Sequence, residues 1–288
     1  MHKKILNDLK SSDKSIGNII ELSALFLINQ GIENAKNEIR WYIQKLYNCN
    51  SAQLYNLKNK IISDDYLNQI IDFLTHRSNK TPFQYLLGHA PFYGRDFMVD
   101  YNVLIPRQES EILIDIIKHK TQSRVLDIGT GSGCLAITSI LEGIANSVDA
   151  IDINKKALLL AKNNSEALNV ENIRYIKMNI LKDAPASSYD IIISNPPYIS
   201  KNEYKNLDME VQSNEPKEAL TDMSDGYTFY KRYAFILKKI LNKSGIAVFE
   251  LSQFFNKQKI TSIFKNFSNI KFHKDINDNL RAVEISND

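Results

Sequence analysis

Residues 194–198 carry the sequence SNPPY, the stretch of this chain whose residue types best suit chemistry. They follow an apolar run, residues 190–193, that predicts a buried strand. Two consecutive prolines cannot continue a strand, so the backbone must leave the sheet there. Asn195 and Tyr198 are therefore expected on a turn at the carboxyl end of a strand, where open α/β sheets bind ligands. An Asn amide can orient another amide or amino nitrogen, although an ordinary turn capped by Asn195 is the alternative interpretation.

A glycine-rich turn, GTGSG at residues 129–133, follows the apolar run 125–128. Glycines permit positive φ angles and close approach of a ligand to the backbone, and Asp127 can accept a hydrogen bond from an ammonium group. The next apolar run ends in Asp152, at a spacing that fits a carboxylate bridging two ribose hydroxyls, which NAD and S-adenosylmethionine both possess. Asp152 is equally consistent with a helix N-terminal charge, and the glycine turn alone does not decide between these cofactors.

Together, these motifs resemble those of class I methyltransferases, which use S-adenosylmethionine, and in particular those that methylate a planar amino or amide nitrogen. The Asn-Pro-Pro-Tyr turn separates them from dehydrogenases, which have no use for it at that strand end. The wider pattern over residues 80–285 is similar to the release factor glutamine N5-methyltransferases. The shared motifs are QYLLG at 84–88, PRQESE at 106–111, NEP at 214–216, AL at 219–220 and DG at 225–226.

The resemblance implies transfer of a methyl group from S-adenosylmethionine to the side-chain amide nitrogen of the glutamine in the Gly-Gly-Gln loop of class 1 peptide chain release factors. The implied catalytic residues are Asn195, Pro196 and Tyr198, and the implied substrate-binding residues add Pro197, Arg107 and Glu109. The implied cofactor-binding residues are Asp127, Gly129, Thr130, Gly131, Ser132, Gly133, Asp152, Asn179, Ile180 and Asn195. Core packing is the alternative role for Ile180, and ordinary surface charge is the alternative for Arg107 and Glu109.

The chain departs from this family's usual pattern at several positions. Gln108 stands where the family usually has Pro, Ser110 where it has Thr, and Ser252 and Asp278 where it has Gly. Asn179 and Ile180 replace a frequent Asp and an aromatic residue. The first four of these positions all lie outside the two central motifs, the glycine-rich turn 129–133 and the Asn-Pro-Pro-Tyr turn 195–198, and we expect them to affect loop details and substrate fit more than the chemistry.

Apolar periodicity predicts an α/β protein with a small helical bundle at its N-terminus. Helical patterns cover residues 16–26, 39–46 and 66–74, with Gly31 as a stop and Ser63 as a cap. Strands are predicted at 124–128, 147–152, 172–177, 189–194 and 245–250, with a terminal hairpin at 269–273 and 280–285. The alternation predicts a doubly wound, Rossmann-like domain, and the resemblance implies a mostly parallel seven-stranded sheet.

We accordingly divide the chain into three parts. Residues 1–80 form a helical domain that either recognises substrate or stabilises the catalytic part, residues 81–106 form a β-hairpin linker, and residues 107–288 form the S-adenosylmethionine-dependent methyltransferase domain. Two alternatives remain open for the activity. One is a DNA or RNA methyltransferase acting on an exocyclic amino group of a flipped base, and the other is a non-catalytic cofactor-binding module, against which the intact motifs argue.

Composition favours a cytoplasmic protein. The 288 residues include two cysteines and five scattered histidines, so neither a disulfide framework nor a metal-ligand spacing is expected. The net charge of +3 is too small to predict stable nucleic acid binding. The first five residues do not lead into a signal-peptide core, and we expect no membrane association and a monomer that uses release factors as its protein substrate.

Overall fold

The computed structural model describes residues 13–287, and the predicted lack of a signal peptide concerns residues that lie outside this range. Contacts divide the chain into two compact units, Met1–Gly88 and His89–Asp288. This division falls within the predicted 81–106 linker. Residues 81–88 therefore belong with the helices, and the hairpin belongs with the sheet domain. Among residues 13–287, no helix is long and apolar enough to cross a membrane.

The first unit is helical, as predicted. Its helices are α1 (Ile16–Asn29), α2 (Ala35–Tyr47), α3 (Ser51–Asn56), α4 (Asp64–Ser78) and α5 (Phe83–Leu87). The hydroxyl of Ser63 accepts from the backbone N–H of Tyr66 at 3.3 Å, which confirms the predicted cap of α4. The short helices α3 and α5 were not predicted, because neither is long enough to show a helical period.

A buried ion pair joins two helices of this unit. Arg77 on α4 donates from Nε to Glu38 Oε2 at 2.7 Å and from Nη2 to Glu38 Oε1 at 3.2 Å. Its Nη1 donates to the backbone carbonyl of Thr81 at 3.1 Å. Both charged residues are only 6% exposed, so the pair lies inside the apolar core of the unit.

The second unit begins with a hairpin of β1 (His89–Phe92) and β2 (Arg95–Met98). Tyr93 and Gly94 connect the strands with φ angles of 50° and 73°, the positive pair that a tight two-residue hairpin turn requires. The predicted hairpin linker extended to residue 106, but pairing ends at Met98. A short 3-10 segment at Gln108–Ser110 then leads into α6 (Glu111–Ile117).

Seven strands form the main sheet in the order β5-β4-β3-β6-β7-β9-β8, which confirms the predicted architecture. They are β3 (Ser123–Ile128), β4 (Ala145–Asp152), β5 (Ile173–Lys177), β6 (Tyr189–Ser194), β7 (Leu241–Glu250), β8 (Asn269–Lys274) and β9 (Leu280–Ser286). The first five in spatial order are parallel, and β9 runs antiparallel to both of its neighbours. The chain reverses its direction of winding between β3 and β6, the place where such sheets bind ligands.

Helices connect these strands, and the longer ones pack on the sheet. They are α7 (Cys134–Leu141), α8 (Lys155–Ala167), α9 (Lys201–Tyr204), α10 (Met209–Asn214), α11 (Lys217–Leu220), α12 (Thr228–Ile240) and α13 (Lys257–Ile263). Neighbouring residues of one strand, such as Val125 and Leu126, belong to two different apolar clusters. Both faces of the sheet are therefore buried at its centre, which explains why central strands such as β3 and β6 read as continuous apolar runs.

Candidate active site

A cavity of about 540 Å³ opens at the carboxyl ends of β3, β4, β5 and β6. Its walls include eleven of the residues predicted for the site: Arg107, Gly129, Thr130, Gly131, Ser132, Asp152, Asn179, Ile180, Asn195, Pro196 and Pro197. The other four predicted residues, Asp127, Gly133, Glu109 and Tyr198, are not part of the cavity wall. The cavity lies at the change of winding direction and has the size of a small-molecule site.

The glycine-rich turn forms one wall of the cavity. Gly129, Gly131 and Gly133 all have positive φ angles, from 53° to 82°, so the turn needs residues without a Cβ. A Cβ on Gly133 would also lie 3.0 Å from the Cβ of Ala161 on α8. The third glycine therefore serves close packing of the turn against α8, while the first two expose backbone to the cavity.

Asp152 connects the turn to the next strand. Its Oδ2 accepts from the backbone N–H of Gly131 at 3.0 Å, and its Oδ1 accepts from that of Asn154 at 2.8 Å. Burial raises the pKa of Asp152, while these backbone hydrogen bonds oppose the rise. Each carboxylate oxygen keeps a second lone pair, so Asp152 can still accept from a ligand hydroxyl in the cavity.

Asp127 lies behind the turn and not in front of it. The side chain is fully buried, and its Oδ2 accepts from the Thr130 hydroxyl at 2.7 Å. Its Oδ1 is buried without a hydrogen-bond partner among the described residues. Burial raises the pKa of Asp127 to about 7. Asp127 therefore holds the glycine turn in place through Thr130. For the predicted contact, a ligand ammonium group would have to reach behind the cavity wall.

Asn179 and Ile180 follow β5 and close another side of the cavity. Asn179 Oδ1 accepts from the backbone N–H of Leu181 at 3.1 Å, which fixes the direction of this amide. Ile180 is 6% exposed and packs in the core cluster while also lining the cavity. Its backbone carbonyl accepts from Arg232 Nε at 2.8 Å. The two roles considered for Ile180, core packing and contact with a ligand, are thus compatible.

The turn at 194–198 is fixed to the sheet at its first residue. The Ser194 hydroxyl donates to the backbone carbonyl of Ile128 at 2.7 Å and lies 2.9 Å from the hydroxyl of Tyr233. Asn195 then points its amide nitrogen at Ser110, with Nδ2 donating to Oγ at 2.9 Å. The amide oxygen of Asn195 makes no hydrogen bond to the described residues. Asn195 therefore presents an acceptor beside the cavity.

Glu250 is a site residue that the sequence did not single out. It ends β7, the neighbour of β6, and it is 2% exposed. Its Oε2 accepts from the Ser110 hydroxyl, and its Oε1 accepts from the Tyr198 hydroxyl at 3.2 Å. The hydroxyl of Tyr198 is thus committed to Glu250. Glu250, like Asp152, is an acid at the end of an apolar strand. The pattern that identified Asp152 in the sequence could therefore also have identified Glu250.

Arg107 and Glu109 have different surroundings. Arg107 lines the cavity and donates from Nη2 to Glu215 Oε1 at 2.5 Å, and Glu215 also accepts from the Ile105 N–H at 3.3 Å. The side chain of Glu215 is 1% exposed, so this ion pair ties the segment before α6 to the NEP motif. Glu109 is an exposed residue, 4.0 Å from Arg281, and does not reach the cavity. The structure therefore places Arg107 and Glu215 at the site and keeps Glu109 at the surface.

The sheet order, the glycine turn and the prolyl turn beside the cavity define the fold of a class I methyltransferase. A solved methyltransferase from Pyrococcus furiosus has the same fold, with a TM-score of 0.51 and 19% identity over 67% of this chain and 89% of its own. A 16S rRNA methyltransferase from T. thermophilus matches with a TM-score of 0.50 and 13% identity, over 69% of this chain and 50% of its own.

Sequence relatives specify the family. Residues 107–222 match the methyltransferase small domain, and residues 19–88 match the PrmC N-terminal domain. The release factor glutamine methyltransferase of Fusobacterium nucleatum is 33% identical over 293 residues, covering 97% of this chain and 82% of that protein. The Bacillus subtilis protein of the same name is 37% identical over 235 residues, covering 77% and 81%. The chain belongs to the release factor glutamine methyltransferase family.

Proposed function

We propose that this protein transfers a methyl group from S-adenosylmethionine to the side-chain amide nitrogen of the glutamine in the Gly-Gly-Gln loop of class 1 release factors. The observation that carries this proposal is the Asn195 amide, held by Ser110 so that its oxygen is left as an acceptor beside the cavity. An acceptor in this position suits a substrate that presents an NH₂ group. The family membership of the chain supports the same substrate.

The residues of the cavity fit S-adenosylmethionine. The glycine turn gives close backbone approach, and Asp152 has a free lone pair on each oxygen for ribose hydroxyls. Asn179 and Ile180 offer a polar edge and an apolar face to a planar base. When it is ionised, the buried Asp127 places negative charge behind the turn, which favours a ligand cation in the cavity.

The bound cofactor supplies a methyl group already activated for displacement by its attachment to a sulfonium. The protein must then place the substrate nitrogen about 3–3.5 Å from the reacting carbon and in line with the bond that breaks. Asn195 Oδ1 accepts one hydrogen of the substrate amide, and the Pro196 carbonyl accepts the other. Two acceptors fix the orientation of the nitrogen and increase its electron density. The proton leaves after transfer, when the nitrogen is most acidic.

Methyl transfer to defined acceptors tests the function. The protein is incubated with labelled S-adenosylmethionine and one of three acceptors: a release factor, the same factor with Glu replacing the loop Gln, or nucleic acid. We expect label only in the unmodified factor, because Glu offers no nitrogen. Label in the nucleic acid would instead favour the exocyclic-amino activity, and label in the Glu variant would exclude the loop glutamine as the acceptor.

Asp152→Ala is expected to weaken binding of S-adenosylmethionine by about 1.5–3 kcal/mol, the range for hydrogen bonds to a charged group. Asp152 ends β4 at the cavity, where its lone pairs face a ligand. Calorimetric titration measures the affinity, with Asp65→Ala as a control because that carboxylate is exposed in the first unit. Unchanged affinity in Asp152→Ala would remove this residue from the cofactor site.

Gly226→Ala is expected to disturb the acceptor side of the site and spare the cofactor side. Gly226 has a φ of 82°, and an added Cβ would lie 2.5 Å from the backbone carbonyl oxygen of Tyr198. The turn after Asn195 must shift to relieve this contact, and a shift of about 1 Å can reduce a rate by roughly 100-fold. We expect a loss of kcat with cofactor affinity retained, measured by methyl transfer and calorimetry. Gly94→Ala is the control, since its φ is also positive but its Cβ meets nothing within 4 Å. Equal kcat in both variants would contradict this expectation.

We propose that the helices of the first unit hold the release factor, with the glutamine loop delivered to the cavity of the second unit. Support comes from the separate core of this unit and from the absence of the cofactor motifs from its sequence. A role as a stabilising cap is the alternative. We also propose that the protein acts as a monomer in the cytoplasm, without stable binding of nucleic acid.

A further inference from the structure

A chain of buried hydrogen bonds connects the Asn195 amide to a carboxyl group that does not touch the cavity. Asn195 Nδ2 donates to Ser110 Oγ, and the Ser110 hydroxyl donates to Glu250 Oε2. Ser110, which also lines the cavity, is 3% exposed and Glu250 is 2% exposed, so both side chains are largely shielded from bulk water. The three residues come from three elements: the turn after β6, the 3-10 segment before α6, and the end of β7.

The number of protons in this chain of hydrogen bonds determines which way the Asn195 amide faces. A serine hydroxyl has one proton to donate and lone pairs to accept with. An ionised carboxylate can only accept, so Glu250 takes the Ser110 proton and leaves the Ser110 oxygen as an acceptor. Only the NH₂ side of the Asn195 amide can face such an oxygen. The carbonyl side must then face away from Ser110 and is left for the substrate.

We propose that Glu250 is a positioning residue of the methyl transfer, acting through Ser110 to hold the Asn195 amide with its oxygen toward the substrate NH₂. This inference rests on the proposed function and adds a residue to it. Glu250 also accepts from the Tyr198 hydroxyl at 3.2 Å, so one carboxylate fixes both ends of the turn 195–198. Its backbone carbonyl accepts from the Tyr230 hydroxyl at 2.6 Å, which fixes the end of β7.

Once protonated, Glu250 would no longer hold the Asn195 amide in one direction. Burial raises the pKa of Glu250 to about 7, against the effect of hydrogen bonds from Ser110 and Tyr198. Among the other charged groups nearby, Glu109 raises the pKa of Glu250 and Arg281 lowers it. Arg281 is itself paired with Asp275, and Arg107 lowers the pKa of the Tyr198 hydroxyl that bonds to Glu250. The Tyr230 hydroxyl is also close and stays neutral. A protonated Glu250 can donate to Ser110 Oγ. Ser110 is then free to donate to the Asn195 carbonyl, and the amide turns its NH₂ toward the substrate NH₂.

The direction of the pH effect follows from this change of hydrogen-bond donors between Glu250, Ser110 and Asn195. Above about pH 7 the ionised Glu250 holds the productive amide, and as the pH falls through 7 the productive fraction and kcat both fall. Asp127 is a second buried carboxyl with a pKa of about 7, so an acid limb in the wild type alone does not identify the group. A variant at Glu250 is needed to assign the limb.

Three variants of the full chain test the proposal, with kcat, KM and cofactor affinity measured on each. Ser110→Ala removes the hydroxyl, Ser110→Thr keeps it, and Glu250→Gln keeps the shape of the side chain and abolishes its titration. Ser139→Ala is the control, because this serine is also buried but its hydroxyl donates to the Leu135 carbonyl within α7. Each protein is checked for folding by thermal denaturation, and methylation of the release factor glutamine by the wild type is established first.

We expect Ser110→Ala to lower kcat by roughly 10- to 100-fold with cofactor affinity unchanged, because a misdirected acceptor misplaces the nitrogen. Ser110→Thr should recover most of this loss. Glu250→Gln should show a reduced kcat and should lose the part of the acid limb near pH 7 that Glu250 causes. The side-chain NH₂ resonances of Asn195, assigned with Asn195→Asp, should move in Ser110→Ala and stay in place in Ser139→Ala.

A folded Ser110→Ala with wild-type kcat would overturn the proposal, as would an unchanged acid limb in Glu250→Gln. If Ser110→Ala does not fold, the pH profile of Glu250→Gln decides alone: a lost or reduced acid limb supports the positioning role, and an acid limb unchanged from the wild type overturns it. Failure of the wild type to label the release factor would instead contradict the proposed function, independently of the variants.

Discussion

Asn195→Ala should cut kcat by about 10²- to 10³-fold while leaving affinity for S-adenosylmethionine largely intact. Losing a positioning hydrogen bond that is made best in the transition state costs about this much, by analogy with removal of one oxyanion-hole donor. The cofactor contacts proposed for Gly131 and Asp152 lie after β3 and at the end of β4, and they do not pass through Asn195. Methyl transfer to a release factor and calorimetric titration of the cofactor, both on folded protein, measure the two quantities.

Two further substitutions sharpen this test. Asn195→Asp keeps an acceptor for the substrate but loses the donor to Ser110 and places a second carboxyl near Glu250. We expect its kcat to fall between that of the wild type and that of Asn195→Ala. Asn206→Ala, an exposed residue after α9, is the matched control and should keep wild-type kcat. A near wild-type kcat in Asn195→Ala would refute the mechanism in which this amide positions the nitrogen.

Arg77→Met should destabilise the first unit by about 3–5 kcal/mol, the cost of leaving a buried charge without its partner. Glu38 accepts two hydrogen bonds from Arg77 in a core where both residues are 6% exposed. The loss of stability is measured by denaturant unfolding, and limited proteolysis then shows whether the helical unit is the part that is destabilised. Cofactor binding should persist, because the cavity is lined by residues 102–233 of the second unit.

The double variant Glu38→Leu with Arg77→Met separates charge from packing. Replacing a buried ion pair with apolar residues is often neutral, so the double variant should recover most of the stability lost in Arg77→Met. In both variants the Thr81 carbonyl loses the hydrogen bond that Arg77 donates, so the double variant should not recover all of the lost stability. A change below about 1 kcal/mol in the free energy of unfolding of Arg77→Met would show that the pair is not stabilising. Release factor methylation by Arg77→Met then tests the proposed docking role of these helices.

The sequence predicted those parts of the site that are continuous in the chain. The glycine turn and Asn195 directly follow apolar strands and Asp152 ends one, so local patterns place them at the same edge of the sheet. The number of strands and their positions along the chain also followed from alternation and from the resemblance, whereas their order across the sheet was not predicted. The helical first unit was visible because its long helices carry a period that short α3 and α5 do not.

The contacts that direct the side chains were not predictable, because they join distant positions. Ser110 and Glu250 are 140 residues apart, and Arg107 and Glu215 are 108 apart, so no spacing in the sequence relates them. The role expected for Tyr198 at the substrate stays a prediction, and the hydrogen bond from its hydroxyl to Glu250 depends on β6 lying beside β7, which no local pattern shows. Asp127 was expected at the cavity wall. The inward face of β3 instead buries it behind Thr130.

The position of β7 within the sheet has a consequence for how the protein is made. This strand pairs with β6 on one side and with β9 on the other, and Glu250 lies opposite Ala282. Contacts between such distant segments form late and slowly during folding. A nascent chain that has emerged through the prolyl turn already contains both central motifs, yet it lacks Glu250 and the strand that holds Glu250 in place. We expect the protein to acquire its cofactor cleft before its acceptor side, so that competence for transfer comes only after the C-terminal hairpin has joined the sheet.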